Sequence, residues 1–183
     1  MSSINTSLRE LLLFRHGIAE ERAAGLPDAE RRLTKIGRER TTAVLARLVA
    51  MGLGAERMAS SPLTRARETA DLAMAAGLAP SMDVEDCLAP GADPLPLLRG
   101  WRTAESAGGR TAGRLVLVGH EPDLSLLACH LIGATPGAIR LKKAGLALLQ
   151  FLEPPDLPGA QAVDLRPGCA ALKLLIGPRS LLG

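Results

Sequence analysis

Leu11-Leu12-Leu13-Phe14-Arg15-His16-Gly17 sets four consecutive apolar residues directly before a cation, an imidazole and a glycine. An uninterrupted apolar run of this length, too short for a helix face, predicts a strand buried on both sides, as in a parallel sheet covered by helices. The Arg-His-Gly that ends it then lies on the loop at the strand's carboxyl end. Working outward, the same alternation recurs. Thr34 is placed to cap a helix to about Met51, with Val44, Leu45, Leu48 and Val49 as its apolar face and Gly52 and Gly54 as its stop. Arg57 to Ser60 predicts a second short strand, and Ser61-Pro62 an N-cap with proline in the first turn of a helix to about Ala76, stopped by Gly77. Ser81 to Val84 reads as a weak third strand, and Asp93 to Ala107 as a helix with Pro94 and Pro96 in its first turn. Leu115 to Val118, between Gly113 and Gly119, is the clearest strand, and Glu121-Pro122 opens a helix through Leu131 that Gly133 ends. Gly145 to Leu152 and Cys169 to Ile176 predict two final strands around a hairpin-like excursion at Pro154 to Gly159. The expectation is a single-domain, three-layer α/β sandwich over residues 1–183, with a recognisable core of about 10–177 and a mostly parallel sheet flanked by helices.

Composition supports this class and excludes others. Of 183 residues, 47% are hydrophobic and 22% charged, which is globular rather than disordered. Aromatics are only 2%, so aliphatic side chains build the core and the stacking platforms of single-stranded nucleic-acid binders are missing. The formal charge of +3 permits an anionic ligand without requiring one. Apolar runs stop well short of the ~18 residues of a membrane helix, and the one behind the polar Met1–Glu10 stretch is too short for a signal-peptide core. The three cysteines, Cys87, Cys129 and Cys169, form no C-x-x-C pair and read as small buried hydrophobes in a reducing compartment. A cytoplasmic protein that engages neither nucleic acid nor membrane is expected.

Two of the three histidines occupy equivalent positions: His16 follows the first strand and His120 the strongest one. Arg15 ends the first strand, and Arg65 lies in the first turn of the helix behind the second. If these strands are parallel neighbours, all four side chains emerge at one carboxyl edge, where open α/β sheets place their ligand crevices. Two guanidiniums and two imidazoles near helix N-termini suit a tetrahedral oxyanion. A neutral imidazole there can attack phosphorus if its other ring nitrogen is held protonated by an acceptor. Cationic surroundings favour the neutral form, and the second histidine, if protonated, would stabilise charge on the transferring group.

Arg15-His16-Gly17 resembles the Arg-His-Gly signature of the histidine phosphatase, or phosphoglycerate mutase-like, superfamily. Three further segments resemble that family's motifs in the same order: Leu33-Thr34-Lys35-Ile36-Gly37, Ser60-Ser61-Pro62-Leu63-Thr64-Arg65-Ala66, and Gly119-His120. The resemblance implies a phosphoglycerate mutase-like fold and phosphorylation of His16 during turnover. It also implies phosphoryl contacts from Arg15, Gly17, Arg65 and His120, with no metal or organic cofactor. Small size, the short loop after Gly17 and the Leu88–Asp93 segment are most similar to the SixA phosphohistidine phosphatase branch. Where mutase-type members carry an acid/base glutamate, this chain reads Asp86-Cys87-Leu88-Ala89-Pro90-Gly91. Alcohol phosphoesters need an acid to assist a poor leaving group, whereas a phosphoimidazole is activated by protonating its far nitrogen. Phosphohistidine in a protein is therefore the expected substrate, with Glu20, Glu21, Asp93 and Glu121 as the open candidates for an acid. A phosphomonoesterase acting on a small phosphorylated substrate, a mutase-like enzyme and a non-catalytic phosphate-binding regulator are the rivals; oligomeric state is unknown from sequence.

Other conspicuous residues read as ordinary structure. Arg67 is expected to be a solvated helix residue, Trp101 a packing residue, and His130 no metal ligand, since it lacks an i+4 partner. The basic segments Arg31-Arg32, Lys35, Arg38, Arg40 and Arg140, Lys142, Lys143 lack aromatic interleaving and read as solvated faces.

Overall fold

A computed structural model describes residues 9–107, 113–152 and 165–183, with the side chains of residues 103–107 left undescribed. The predicted excursion at Pro154 to Gly159 lies outside the described residues. The first strand, β1 (Glu10–Arg15), is followed by α1 (Lys35–Ala50), β2 (Arg57–Ser60), α2 (Thr64–Ala75) and a two-residue β3 (Asp83–Val84). Then come α3 (Leu95–Ala107), β4 (Arg114–Gly119), α4 (Asp123–Ile132), β5 (Leu146–Phe151), β6 (Ala170–Ile176) and a short α5 (Pro178–Leu182). The six strands form one sheet in the order β3-β2-β4-β1-β5-β6. β3, β2, β4 and β1 run parallel, while β5 is antiparallel to both β1 and β6. The sheet is thus mostly parallel with an antiparallel margin.

Alternation along the buried strands creates two cores. Leu11 and Leu13 of β1 join Leu115 and Leu117 of β4 and Ala147 and Leu149 of β5 in one cluster, under Leu98 and Trp101 of α3 and Leu124, Leu127 and Leu131 of α4. Leu12, Phe14, Val116, Val118 and Met58 project into the other, against Val44, Leu45 and Leu48 of α1 and Ala66, Ala70 and Ala73 of α2. Leu11 to Phe14 are all fully buried, which the continuous apolar run demands of a central strand. Trp101 packs against Phe151 with ring centroids 6.2 Å apart, and Arg102 lies over the same ring at 4.4 Å, so the tryptophan is a packing residue. Among the described residues no helix is long and apolar enough to cross a membrane.

Caps follow sequence chemistry with one correction. The Thr34 side chain accepts the Gly37 N–H at 2.9 Å at the start of α1, and Gly52, Gly77 and Gly133 take positive φ after α1, α2 and α4. Ser61-Pro62, however, does not cap α2. The helix starts at Thr64 with Leu63 as its N-cap. The Ser61 hydroxyl accepts the Leu63 N–H at 3.3 Å, a turn that delays the helix, and it is engaged by a histidine as well.

Candidate active site

Register builds the site. In the β1–β4 ladder Arg15 pairs with Gly119, and the His16 N–H donates to the Gly119 carbonyl at 3.1 Å. In the β2–β4 ladder Ser60 pairs with Val118, and the Ser61 N–H donates to Val118 at 2.9 Å. Three parallel strands therefore end level, and the residues that leave them, His16, Ser61 and His120, become neighbours. The imidazoles of His16 and His120 lie 5.1 Å apart between centroids, tilted by 56°. Both are nearly inaccessible, at 6% and 3% exposure.

Each imidazole has one ring nitrogen engaged by the protein. His16 Nδ1 lies 2.7 Å from the Gly17 carbonyl. A carbonyl only accepts, so Nδ1 bears the proton and Nε2 carries the lone pair. The Gly17 N–H in turn donates to Thr69 Oγ1 at 3.1 Å, and Thr69 donates its own proton to the Arg65 carbonyl at 2.7 Å. This differs from the expectation that Gly17 contacts phosphate: its N–H and C=O are spent orienting His16. No side chain fits at Gly17 without movement, since a Cβ would stand 2.3 Å from Thr41 Oγ1. His120 Nε2 lies 2.8 Å from Ser61 Oγ. Ser61 Oγ also accepts the Leu63 N–H and can donate its own proton to Nε2, and in that tautomer the ring proton sits on Nδ1.

Burial, first of all, keeps both rings neutral. It drives the His16 pKa down to about 3, with His120, Arg65 and Arg15 adding repulsion against the Gly17 hydrogen bond. It drives His120 down to about 4, reinforced by Arg65 and partly opposed by Asp28. His120 is therefore neutral in the free protein, contrary to its expected charged role. Its Nδ1 and the Nε of Arg15 are buried and have no hydrogen-bond partner among the described residues. Leaving such groups unsatisfied costs about 1–3 kcal/mol each, a cost an oxyanion would relieve.

The two arginines are fixed differently. Arg15 donates from Nη1 to the Leu141 carbonyl at 2.8 Å, and burial lowers its pKa. Arg65, 5% exposed, donates from Nη1 to the Asp28 carbonyl at 2.7 Å and from Nη2 to Asp28 Oδ2 at 2.9 Å. Asp28 is a residue that sequence reading missed, as it carries no motif. Hydrogen bonding from Arg31 first, then from Arg22 and Arg65, holds its carboxyl well below the usual carboxylate range. Glu68, also missed, is buried and accepts the Leu33 N–H at 2.7 Å and Arg32 at 2.8 Å, and it pairs with Arg38. Burial alone would raise its pKa, but these donors outweigh burial and lower it. The first basic segment is thus largely an ion-pair network that ties the post-β1 loop to α2 rather than a purely solvated face.

The candidate acids fare unequally. Glu20 Oε2 accepts the Arg32 N–H at 2.9 Å on an exposed loop, Glu21 is exposed, and Asp93 Oδ1 accepts the Leu95 N–H at 3.0 Å at the start of α3. Glu121 lines, together with Arg15, a cavity of about 510 Å³. One of its oxygens is engaged by Ser125 and by the Leu141 N–H. His130 donates from Nε2 to the Leu165 carbonyl at 2.8 Å, and no cluster of three or more metal-ligating side chains occurs among the described residues. None of the three cysteines forms a disulfide among the described residues; Cys129 is buried and Cys87 and Cys169 are half-buried.

Comparison with known proteins agrees with this geometry. The model of the histidine phosphatase superfamily (branch 1) matches residues 11–89. An uncharacterized protein of a Picosynechococcus strain is 44% identical over 142 residues, covering 75% of this chain and 82% of that one. The solved structure of the protein histidine phosphatase SixA complexed with tungstate superposes with a TM-score of 0.72 at 23% identity, covering 94% of this chain and 99% of the other. A mycobacterial glucosyl-3-phosphoglycerate phosphatase gives a TM-score of 0.65 at 16% identity, covering 91% and 98%. The α-ribazole phosphatase of Shigella flexneri gives 0.60 at 17%, covering 92% and 96%. At these identities the structural likeness establishes the fold.

Proposed function

The chain belongs to the histidine phosphatase superfamily, and we propose that it hydrolyses phosphohistidine in a protein, through a covalent phosphohistidine at His16 and without a metal. One observation carries the reading: His16 keeps Nδ1–H on the Gly17 carbonyl in a neutral ring, beside His120 and two guanidiniums. That arrangement leaves Nε2 unprotonated, the state a nucleophilic imidazole requires. Binding of tungstate, a tetrahedral oxyanion, by the SixA protein of the same fold supports a phosphoryl site.

In the proposed first step the His16 Nε2 lone pair forms a bond to phosphorus as the bond from phosphorus to the substrate's imidazole breaks. The departing imidazole is protonated on its far nitrogen and leaves neutral. Arg15 and Arg65 bind the equatorial oxygens, and the Nδ1–H of His120 donates to one of them. Asp28 keeps the Arg65 fork in place rather than touching substrate. Water then attacks phosphorus, the P–N bond to His16 breaks, and inorganic phosphate leaves. The nucleophile and the phosphoryl contacts come from side chains of this polypeptide, and the protons are exchanged with solvent.

A second reading, hydrolysis of a small phosphomonoester, is favoured by Glu121, whose carboxyl shares a cavity with Arg15 and would supply the acid an alkoxide leaving group requires. A substrate panel separates the two. Phosphohistidyl peptide is expected to be cleaved far faster than alkyl phosphates. Efficient alkyl phosphate turnover with slow phosphohistidine hydrolysis would reverse the assignment.

A further inference from the structure

Arg15 also borders a second cavity, of about 580 Å³, whose lining includes Arg40, Lys142, Lys143 and Arg179 and no acidic residue. These cations come from α1, from the turn before β5, and from α5, so residues distant in sequence converge on one concavity. Arg22, Arg31, Arg32, Arg38, Arg57, Arg65 and Arg114 each pair with a carboxylate, whereas these four have no such partner among the described residues. A cleft lined by one sign of charge concentrates its field and attracts counter-charge.

The lysine turn is built, not incidental. The Ala144 N–H donates to the carbonyls of Arg15 and His16 at 3.1 Å each, the Arg15 N–H donates to Gly145 O at 3.1 Å, and the Gly145 N–H donates to Lys142 O at 2.7 Å. Ala144 holds φ of 54°, a conformation uncommon outside glycine, to make this turn. A Cβ on Gly145 would lie 2.8 Å from Lys142 O, so the close approach depends on glycine. The backbone that carries His16 therefore fixes where Lys142 and Lys143 stand.

We propose that this groove binds anionic groups that the substrate carries beside its transferred phosphoryl, namely Asp or Glu side chains flanking the phosphohistidine on a protein surface. The inference deepens the phosphohistidine reading above and rests on it. The cavity's lining contains no aromatic residue, which disfavours a nucleic-acid strand as the occupant. Flexible lysine and arginine heads around an open cleft match scattered carboxylates, and such contacts act on encounter and KM more than on chemistry.

Two phosphohistidyl peptides, identical except that three flanking Glu residues in one are Gln in the other, test this with the intact protein and a Lys142→Ala/Lys143→Ala/Arg179→Ala variant. The wild type should favour the Glu peptide about tenfold, through KM, the sum expected of three exposed ion pairs. The variant should lose that preference while hydrolysing para-nitrophenyl phosphate at the wild-type rate, which also certifies its fold. An equal Glu/Gln ratio in both proteins would overturn the proposal. Should the wild type cleave aryl phosphate but neither peptide, the phosphohistidine reading fails, and the groove is judged separately by fluorescence anisotropy with the unphosphorylated Glu peptide. Binding weakened about tenfold in the variant would sustain the groove as a carboxylate site, by the same ion-pair arithmetic. Equal binding, or no measurable binding of the peptide to the intact protein, would overturn it.

Discussion

Acidification should unfold this protein through its two pocket histidines. In the unfolded chain each imidazole takes a proton near its ordinary pKa of 6.5, but in the fold His16 resists protonation down to about 3 and His120 down to about 4. The folded pKa values are depressed, so the unfolded state binds more protons throughout the interval. Stability is therefore full above about pH 6.5 and falls as pH drops, until His120 and then His16 titrate in the fold. Each group contributes about 1.4 kcal/mol per pH unit well inside that window, so moving from about pH 7 to about pH 5 costs roughly 2 kcal/mol per histidine, or roughly 4 kcal/mol for the pair. Asp28 does not interfere, because its carboxyl is held well below the usual carboxylate range. Urea denaturation of the wild type and of a His16→Asn/His120→Gln variant at the two pH values isolates the effect, with His130 common to both. The wild type should lose roughly 4 kcal/mol more than the variant on acidification. Equal losses, within about 1 kcal/mol, would show that the rings are not held neutral by burial and would remove the electrostatic basis for an unprotonated His16.

Two substitutions probe the scaffold behind the histidines. Gly37→Ala, in the first turn of α1, would put a Cβ 2.0 Å from the Ile18 carbonyl, which accepts the Thr34 N–H. A change that ordinarily strengthens a helix should here cost about 1–3 kcal/mol, read as a lower Tm, and a raised Tm would contradict the packing. Ser61→Ala removes the partner of His120 Nε2 and should lower kcat about tenfold or more with KM little changed, since a lost buried hydrogen bond is worth about 1–3 kcal/mol. A normal kcat would mean that Ser61 does not position His120.

Much of this geometry was legible in the sequence because strand ends are. Four apolar residues followed by Arg15 and His16, and the Leu115–Val118 run followed by Gly119 and His120, each announce a buried strand and its carboxyl edge. Parallel pairing then leaves the two histidines few other places to be. The Arg-His-Gly and Ser-Ser-Pro-Leu-x-Arg segments added family resemblance to that deduction. What stayed hidden was long-range and carried by residues without pattern. Asp28 reaches Arg65 across 37 positions, and Glu68 reaches the Leu33 N–H across 35, from segments whose composition is that of any polar surface. Ser61 was misread as a helix cap because Ser-Pro has that local preference, and only the β2–β4 register reveals that its hydroxyl belongs to His120. Lys142 and Lys143 are exposed, as a solvated face requires, but nothing local signals that Arg40 and Arg179 line the same cavity.

Trapping the covalent intermediate addresses the proposed chemistry most directly. The protein would be quenched during turnover of a radiolabelled phospho-donor, digested, and the labelled peptide identified. Acid-labile label on the fragment containing Leu13 to Glu20, lost in His16→Ala, is the expected result. Label on any other residue, acid-stable label, or hydrolysis that survives His16→Ala undiminished would contradict a phosphohistidine at position 16.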